Sequence, residues 1–149
     1  MKIAVFPGSF DPFTKGHESV VVKALEVFDE VIIAIGVNTK KQALFTLEKR
    51  TQHIESLFNS KVQVLAFEGL TVDLCKRIGC VHIIRGLRDV KDFEYERSIA
   101  QMNHVLYPVE TIFFLTEIEH ASINSSIVRE IFLNGGDISA FVTNPKILV

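Results

Sequence analysis

The sequence predicts a doubly wound α/β fold, and three observations support that prediction. Five runs rich in Val, Ile and Phe are apolar throughout instead of alternating with polar residues, as strands buried on both faces are. Segments with the apolar spacing of helices separate these runs, and this alternation implies right-handed crossovers between parallel strands. No linker or internal repeat divides the chain, so residues 1–149 are predicted to form a single domain. The predicted architecture is a Rossmann-like five-stranded parallel sheet, in the order 3-2-1-4-5, with helices on both faces.

Strands and helices are predicted to alternate along the whole chain. The five strands are the runs KIAVF, EVIIAIGV, VQVLAF, VHIIR and VETIFFL. The first helix carries an apolar face at i, i+3, i+4 and i+7, and the third ends at Gly79, a residue type that favours helix ends. The fourth helix runs from about Asp89 to Leu106, and the fifth from about Ser125 to Asn134. The last segment, DISAFVTNPKILV, either forms a short helix that opens at Pro145 or frays.

Composition and charge exclude several functional classes. The formal net charge is -2, which gives no general attraction to nucleic acid or to an anionic membrane. The N-terminus lacks the pattern of a signal peptide, and no apolar stretch approaches the ~18 residues of a membrane span. A cytoplasmic protein is therefore expected.

The cysteines and three of the histidines show no metal-site spacing. Cys75 and Cys80 have no second ligand pair, which favours buried structural thiols over metal binding or redox chemistry. His53 and His104 are predicted to lie on exposed faces of helices, and His82 within a strand. No metal site made by the protein is expected.

The loop after the first strand has two interpretations. In a doubly wound sheet a ligand binds at the carboxyl ends of the strands where their order reverses, here between strands 1 and 4. The loops PGSFDPFTKGH and RGLRDVKDF therefore face one crevice. In the first loop, Ser9 offers a hydroxyl, and Thr14 and His17 lie one turn apart at a helix N-terminus, where an anion fits. The alternative is that the prolines and glycines only turn the chain and that His17 caps the helix.

The second loop favours a phosphate site. Arg85 and Arg88 bracket Gly86 just beyond strand 4, and their guanidinium groups suit phosphate oxygens. Glu96, in the next helix, either accepts hydrogen bonds from ribose hydroxyls or is a solvated carboxylate. Lys41, after strand 2, either supplies a mobile cation to the same crevice or is simply exposed.

Hydroxyl and amide side chains precede the fifth helix. Ser122, Asn124, Ser125 and Ser126 make good N-caps. The same helix N-terminus also offers free main-chain amides to phosphate oxygens. The two roles are compatible, so this segment is a second candidate phosphate site.

Four motifs, in order along the chain, carry a resemblance to a known family. They are TKGH at 14–17, FTLEKR at 45–50, IRGLRDVKDFEYE at 84–96 and INSSIVRE at 123–130. TxGH alone is a weak signature, whereas its combination with RGLR and DFEYE at these separations is specific. Over nearly its whole length the sequence resembles the bacterial phosphopantetheine adenylyltransferases, a family of the nucleotidyltransferase superfamily with the [HT]xGH signature.

The resemblance implies a reversible transfer of an adenylyl group from ATP to 4'-phosphopantetheine, which gives dephospho-coenzyme A and pyrophosphate in the penultimate step of coenzyme A synthesis. It also implies Mg2+ with ATP, coenzyme A as a feedback ligand and a homohexamer. Neither nucleic acid nor a membrane is expected as a partner. The alternatives are another nucleotidyltransferase of the superfamily, acting on nicotinamide mononucleotide or glycerol phosphate, and a non-catalytic nucleotide sensor.

The resemblance also implies roles for individual residues. His17 is expected to contact the ATP phosphates and stabilise the transition state, with Lys41 and Arg88 as further catalytic residues. Phosphopantetheine is expected to bind Ser9, Lys41, Thr71 and Arg85. The expected nucleotide contacts are Ser9, Phe10, His17, Gly86, Leu87, Arg88, Glu96, His120, Ala121, Ser122, Ile123, Asn124, Ser125 and Ser126.

Three positions depart from the family's usual pattern. Ser9 stands where the family usually has Thr, which keeps the hydroxyl. Asn124 replaces the first Ser of the usual ISSS, and His120 stands where an aromatic residue often stacks near adenine. These departures concern the detail of nucleotide contact and not the reaction.

Overall fold

The computed structural model describes all 149 residues and contains one five-stranded sheet. All strand pairings are parallel and the order is 3-2-1-4-5, which confirms the predicted fold class. The first and fourth strands are neighbours at the centre, so the strand order reverses between them. The strands are β1 (Ile3–Gly8), β2 (Glu30–Gly36), β3 (Val62–Phe67), β4 (His82–Leu87) and β5 (Glu110–Leu115).

Five α-helices alternate with the strands, as the sequence predicts. Thr14, Thr46 and Asp89 each begin a helix with a side-chain oxygen that accepts a main-chain N–H of the first turn. A 3-10 helix, Pro145–Leu148, opens at Pro145, so the C-terminal segment is folded. The α-helices are α1 (Lys15–Ala24), α2 (Leu47–Leu57), α3 (Thr71–Ile78), α4 (Val90–Leu106) and α5 (Ser125–Leu133).

The two faces of the sheet bury different residues because side chains alternate along a strand. On one face, Ala4 and Ile33 pack with residues of α1 and α2. On the other, Val5 and Ile32 pack with residues of α3. The C-terminal segment closes a third, smaller core around Phe45. No helix combines the length and the apolar character that crossing a membrane requires.

Both thiols are buried, as the sequence predicts. Cys75 and Cys80 are free and buried in the core between the sheet and α3. Burial raises the pKa of Cys75 to about 11 and also raises the pKa of Cys80. Both side chains therefore stay protonated, and poorly nucleophilic, at neutral pH.

Two predictions about local structure were wrong. β4 does not end at Arg85 but continues through Gly86 to Leu87, because its ladder with β5 extends that far. His53 is not on an exposed helix face: it is 0% exposed. Its Nε2 lies 2.7 Å from the carbonyl oxygen of Thr143, so the C-terminal segment covers it.

Candidate active site

A polar groove lies at the carboxyl ends of β1 and β4, where the strand order reverses. Its volume is about 380 Å³, within the range of small-molecule sites. The loop after β1, the start of α1, the end of β4 and the N-terminus of α5 form its walls. The sequence-predicted residues that line it are Ser9, Phe10, His17, Arg85, Gly86, Arg88, Glu96, His120, Ile123, Asn124, Ser125 and Ser126.

The TKGH motif builds the start of α1 and orients its histidine. The hydroxyl of Thr14 accepts the main-chain N–H of His17 at 3.4 Å, and the main-chain N–H of Thr14 donates to Nδ1 of His17 at 3.0 Å. This reciprocal pair is a capping box in which His17 takes the place usually held by Glu or Gln. Because Nδ1 accepts a hydrogen bond, the neutral ring carries its own hydrogen on Nε2.

Aromatic rings surround His17. The rings of Phe10 and Phe13 have centroids 5.1 and 5.4 Å from that of the imidazole. The pKa of His17 falls to about 4, first because burial desolvates the ring and then because Arg85 and Arg88 are nearby cations. At neutral pH, His17 is therefore a neutral hydrogen-bond donor on the groove wall.

Two glycines let the walls of the groove approach each other. Phe10 adopts a left-handed backbone, with φ 47°, and a Cβ at Gly8 would lie 2.8 Å from its ring. A Cβ at Gly86 would lie 2.7 Å from Cγ2 of Val20 on α1. Any other residue at Gly8 or Gly86 would push Phe10 or α1 out of place.

The loop after β1 is anchored by the segment that opens α2. The carboxylate of Asp11 accepts the main-chain N–H groups of Leu44 and Phe45, at 2.8 and 2.9 Å. The buried guanidinium of Arg50 donates to the carbonyl oxygens of Phe45 and Ser9, at 3.0 and 2.7 Å. The FTLEKR motif thus fixes the main chain of Ser9 at the edge of the groove.

Arg85 and Glu96 form a bidentate ion pair. Nε and Nη2 of Arg85 donate to the two carboxylate oxygens of Glu96 at 2.9 and 2.7 Å, and Nη1 donates to the carbonyl oxygen of Pro7 at 2.7 Å. The family resemblance implies a nucleotide contact for Glu96, whereas in the structure both of its oxygens bind Arg85. Two N–H groups of the five on Arg85 remain for a ligand.

A second cavity, of about 300 Å³, lies on the other side of this ion pair. Thr71 and Asn103 line it, together with Ser9 and Arg85. Arg85, Glu96 and the segment 7–9 line both cavities, so they form the wall between them. Most residues predicted for the nucleotide therefore lie in the groove, and three of the four predicted for phosphopantetheine line the second cavity.

Arg88 lies at the mouth of the groove and is paired with Asp92, one turn into α4. Its Nε donates to Oδ2 of Asp92 at 3.1 Å, and its Nη1 donates to the carbonyl oxygen of Ile123 at 3.3 Å. Asp92 also lines the groove, although no role was predicted for it. The available signal was its spacing: Asp92 lies four residues after Arg88, in the first turn of the predicted fourth helix.

Asn124 caps α5 and changes what its N-terminus offers. Its Oδ1 accepts the main-chain N–H groups of Ser126 and Ile127, at 2.8 and 3.3 Å. The predicted cap is therefore present, and in the structure it engages the amides of those two residues; phosphate binding at this helix N-terminus stays a prediction. The Ser125 hydroxyl donates to the carbonyl oxygen of Pro12 at 3.2 Å, which ties α5 to the loop after β1.

Arg129 is a groove residue that the sequence reasoning missed. Its Nη1 donates to the carbonyl oxygen of Asp11 at 2.9 Å, and its Nη2 to the Ser126 hydroxyl at 3.0 Å. Unlike Arg85 and Arg88, it has no carboxylate within ion-pair distance. The INSSIVRE motif held the signal, because Arg129 lies three residues after Ser126 and so shares its helix face.

Four predicted site residues line neither the groove nor the second cavity. Lys41 is exposed and lines a neighbouring opening with Ser9 and Arg50. Leu87 is buried at the end of β4 and lies outside the groove lining. Ala121 and Ser122 lie outside the groove lining.

The carboxylates of the groove leave little for a metal ion. Asp11 binds main-chain N–H groups, and Asp92 and Glu96 are paired with arginines. No cluster of three or more His, Cys, Asp or Glu side chains is placed to hold a metal. Cations and N–H groups dominate the groove, which suits the phosphates of a nucleotide.

The Rossmann-like sheet, with a groove of cations and N–H groups at its switch point and the TKGH motif at the start of α1, has the features of a nucleotidyltransferase. The cytidylyltransferase-like family model matches residues 5–131. The phosphopantetheine adenylyltransferase of Flavobacterium psychrophilum is 49% identical over 95% of this chain and 95% of its own length, and that of Lachnoclostridium phytofermentans is 47% identical over 100% of this chain and 93% of its own. The chain belongs to the phosphopantetheine adenylyltransferase family, and the resemblance and enzyme class predicted from the sequence are confirmed.

A solved structure supports the fold independently of close sequence similarity. A bifunctional NMN adenylyltransferase/ADP ribose pyrophosphatase from Francisella tularensis superposes with a TM-score of 0.74 at 22% identity. The match covers 98% of this chain and 47% of that one. At this identity the likeness concerns the fold alone.

Proposed function

We propose that this protein transfers the adenylyl group of ATP to 4'-phosphopantetheine, giving dephospho-coenzyme A and pyrophosphate in a reversible reaction. The observation that carries the proposal is the pair of cavities that meet at Ser9 and Arg85. ATP occupies the groove, the pantetheine arm occupies the second cavity, and the two phosphates meet at the shared wall. This arrangement brings two substrates together at one point, as a direct transfer requires.

The reaction is an in-line substitution at the α-phosphorus of ATP. A phosphate oxygen of phosphopantetheine forms the new P–O bond, while the bond to the oxygen that bridges to the β-phosphate breaks and pyrophosphate leaves. The second pKa of a phosphate monoester is near 6, so the attacking group is mostly dianionic at neutral pH and needs no general base. Catalysis then depends on placement and on stabilising the charge that builds on the equatorial oxygens.

The groove residues supply that stabilisation. His17 donates from Nε2 as a neutral group, which stabilises developing charge without holding the ground-state phosphates as strongly as a cation would. Arg88 supplies N–H groups at the mouth of the groove. Lys41, on an exposed loop beside Ser9, adds a mobile cation when the substrates are bound.

Mg2+ is proposed to enter as part of the nucleotide substrate. The carboxylates lining the groove already have arginine or main-chain partners, so phosphate oxygens and water are the remaining ligands. When bound, the ion neutralises part of the triphosphate charge.

The test is a reaction of the protein with MgATP and one acceptor, analysed by mass spectrometry. Dephospho-coenzyme A and pyrophosphate are expected with 4'-phosphopantetheine, and no dinucleotide with nicotinamide mononucleotide or glycerol phosphate. Product with another acceptor only would identify a different nucleotidyltransferase of the superfamily. ATP binding without pyrophosphate release for any acceptor would identify a sensor.

We further propose a homohexamer, with α4 contributing to the contact between subunits. Of the residues of α4 only Glu96 is buried, while Met102 and Val105 are 70% and 85% exposed. Light scattering should give six times the chain mass, and Val105→Glu should reduce it. The matched control is Val27→Glu, which alters an exposed valine outside α4. A monomeric wild-type protein would contradict the proposal.

Coenzyme A is proposed as a feedback ligand because it contains both the adenylyl and the pantetheine parts of the product. It should compete with both substrates in steady-state kinetics. Inhibition that neither substrate relieves would contradict binding in these cavities.

Because the reaction consumes ATP, we propose that the protein acts in the cytoplasm.

A further inference from the structure

The side chain of Arg88 is restrained by hydrogen bonds although it is partly exposed. Its side chain is 37% exposed at the mouth of the groove, where an unrestrained arginine has about 2 kcal/mol of rotamer entropy to lose on ordering. Three hydrogen bonds restrain this side chain, and a fourth holds the main chain of Arg88. Its main-chain N–H and its Nε both donate to Oδ2 of Asp92, at 2.9 and 3.1 Å, its Nη2 lies 3.4 Å from Oδ1, and its Nη1 donates to the carbonyl oxygen of Ile123 at 3.3 Å.

One carboxylate therefore holds both the main chain and the side chain of Arg88. Asp92 is itself fixed by the start of α4, because its main-chain N–H donates to Oδ1 of the N-cap residue Asp89 at 2.8 Å. The two aspartates make the two kinds of contact that a capping box makes, but to different residues. Asp89 caps the helix, and Asp92 reaches back beyond the cap to the residue before it.

Stability does not account for this pair. Exposed ion pairs between residues i and i+4 contribute about 0.3–0.5 kcal/mol. Its charges also cancel, so the pair adds no net attraction for phosphate. The ion pair instead fixes the orientation of the guanidinium group. Three of its five N–H groups are engaged, and the remaining two are left in a fixed orientation.

The lowered pKa of Asp92 indicates a carboxylate that stays ionised beside Arg88. Burial alone would raise it, but the hydrogen bonds and charge of Arg88 outweigh burial and lower the pKa below the usual value. Asp92 thus keeps its negative charge throughout the pH range, above about 6, in which the phosphate nucleophile is dianionic.

We propose that Asp92 is a positioning residue for the adenylyl transfer, which holds the guanidinium of Arg88 across the mouth of the groove so that two N–H groups are aimed before the substrates bind. The inference rests on the proposed function, in which Arg88 stabilises the transferred phosphate. Pre-orientation matters because a misplacement of about 1 Å can cost ~100-fold in rate.

The test is a double-mutant cycle of Asp92→Asn and Arg88→Ala, with kcat and KM measured for both substrates. Asp92→Asn should lower kcat about 10- to 100-fold with little change in KM for 4'-phosphopantetheine, because Arg85 and Glu96 stay in place. In the Arg88→Ala background, Asp92→Asn should change kcat less than about 2-fold. A purely structural role would give equal losses in both backgrounds.

The control is Glu94→Gln, which removes an exposed carboxylate from the same helix and should leave kcat and the melting temperature unchanged. If Asp92→Asn does not fold, Asp92→Ser completes the cycle. Full activity of Asp92→Asn, or an equal loss with and without Arg88, would overturn the inference. An inactive wild-type protein would instead overturn the proposed function, so the two failures are distinguishable.

Discussion

His53 is fully buried and His17 only partly, and although both have a lowered pKa, their two ring nitrogens are used in opposite ways. Burial is the first cause of both pKa shifts. In His17, Nδ1 accepts the N–H of Thr14 and Nε2 carries the hydrogen offered to the groove. In His53, Nε2 donates to the carbonyl oxygen of Thr143, and Nδ1 is buried without a partner.

The comparison shows that a shifted pKa does not by itself identify a catalytic histidine. Both rings resist protonation because the protein interior disfavours their charge. What separates them is the place of the unengaged nitrogen, which faces a ligand cavity in one case and the core in the other. α1 links the two, since Glu18, next to His17, accepts a hydrogen bond from the hydroxyl of Thr143 at 2.7 Å.

The largest expected effect is the loss of turnover in His17→Ala. Removing the donor aimed at the transferred phosphate should lower kcat by more than ~100-fold. The fold should persist, because Thr14 still caps α1 through its hydroxyl. Steady-state kinetics and circular dichroism measure the two properties. Near-normal turnover would exclude His17 from the transition state.

Stability should also fall as the pH is lowered from about 6.5 to 4. In this window His17 is neutral in the folded protein and protonated in the unfolded chain, so unfolding takes up a proton. The free energy of unfolding therefore decreases as the pH falls, by on the order of 3 kcal/mol for His17 once the pH is below about 4. His53 adds to the loss in the same direction.

Urea unfolding across this pH range measures the effect. The profile of His17→Ala should be flatter than that of the wild type, because one of the two histidines that take up a proton is gone. Parallel profiles would show that the environment of His17 does not disfavour its charge.

His53→Ala should destabilise the protein by about 2 kcal/mol, because it opens a cavity and leaves the carbonyl oxygen of Thr143 unpaired. The kcat of the folded protein should change less than about 2-fold. His53→Leu, which fills the volume and removes the unpartnered Nδ1, should cost less than His53→Ala. A loss of turnover without a loss of stability would assign His53 to the site instead.

The fold could be predicted because its signals are local. Continuous apolar runs, helical spacing and Gly79 at a helix end are readable from neighbouring residues. The end of β4 was missed because a charged residue, Arg85, lies in a strand whose ladder depends on β5. His53 was misplaced because its partner, Thr143, is distant in sequence.

The site was predictable to the extent that its residues fall in motifs. The TKGH motif and the loop around Arg88 face one groove because the sheet order brings them together. The pairing of Glu96 with Arg85 was not predictable, because the sequence alone does not show whether a carboxylate on a helix faces a ribose, the solvent or a neighbouring strand. Arg129 was missed because its only signal was its spacing of three residues from Ser126 in the INSSIVRE motif, and such a spacing does not show which face of the helix meets the groove.

The smallest expected effect is that of His104→Ala, which gives the closest control for His53. Nδ1 of His104 lies 2.9 Å from the carbonyl oxygen of Val109, much as Nε2 of His53 lies 2.7 Å from that of Thr143. His104 is exposed, so water replaces the lost ring and hydrates the carbonyl group, and the cost should stay below about 1 kcal/mol. Urea unfolding of both alanine variants at pH 7.5 gives the difference directly. If the two alanine variants lower the free energy of unfolding equally, the hydrogen bond to the carbonyl oxygen, and not burial, determines how much each histidine stabilises the protein. The contrast between the exposed and the buried position would then be wrong.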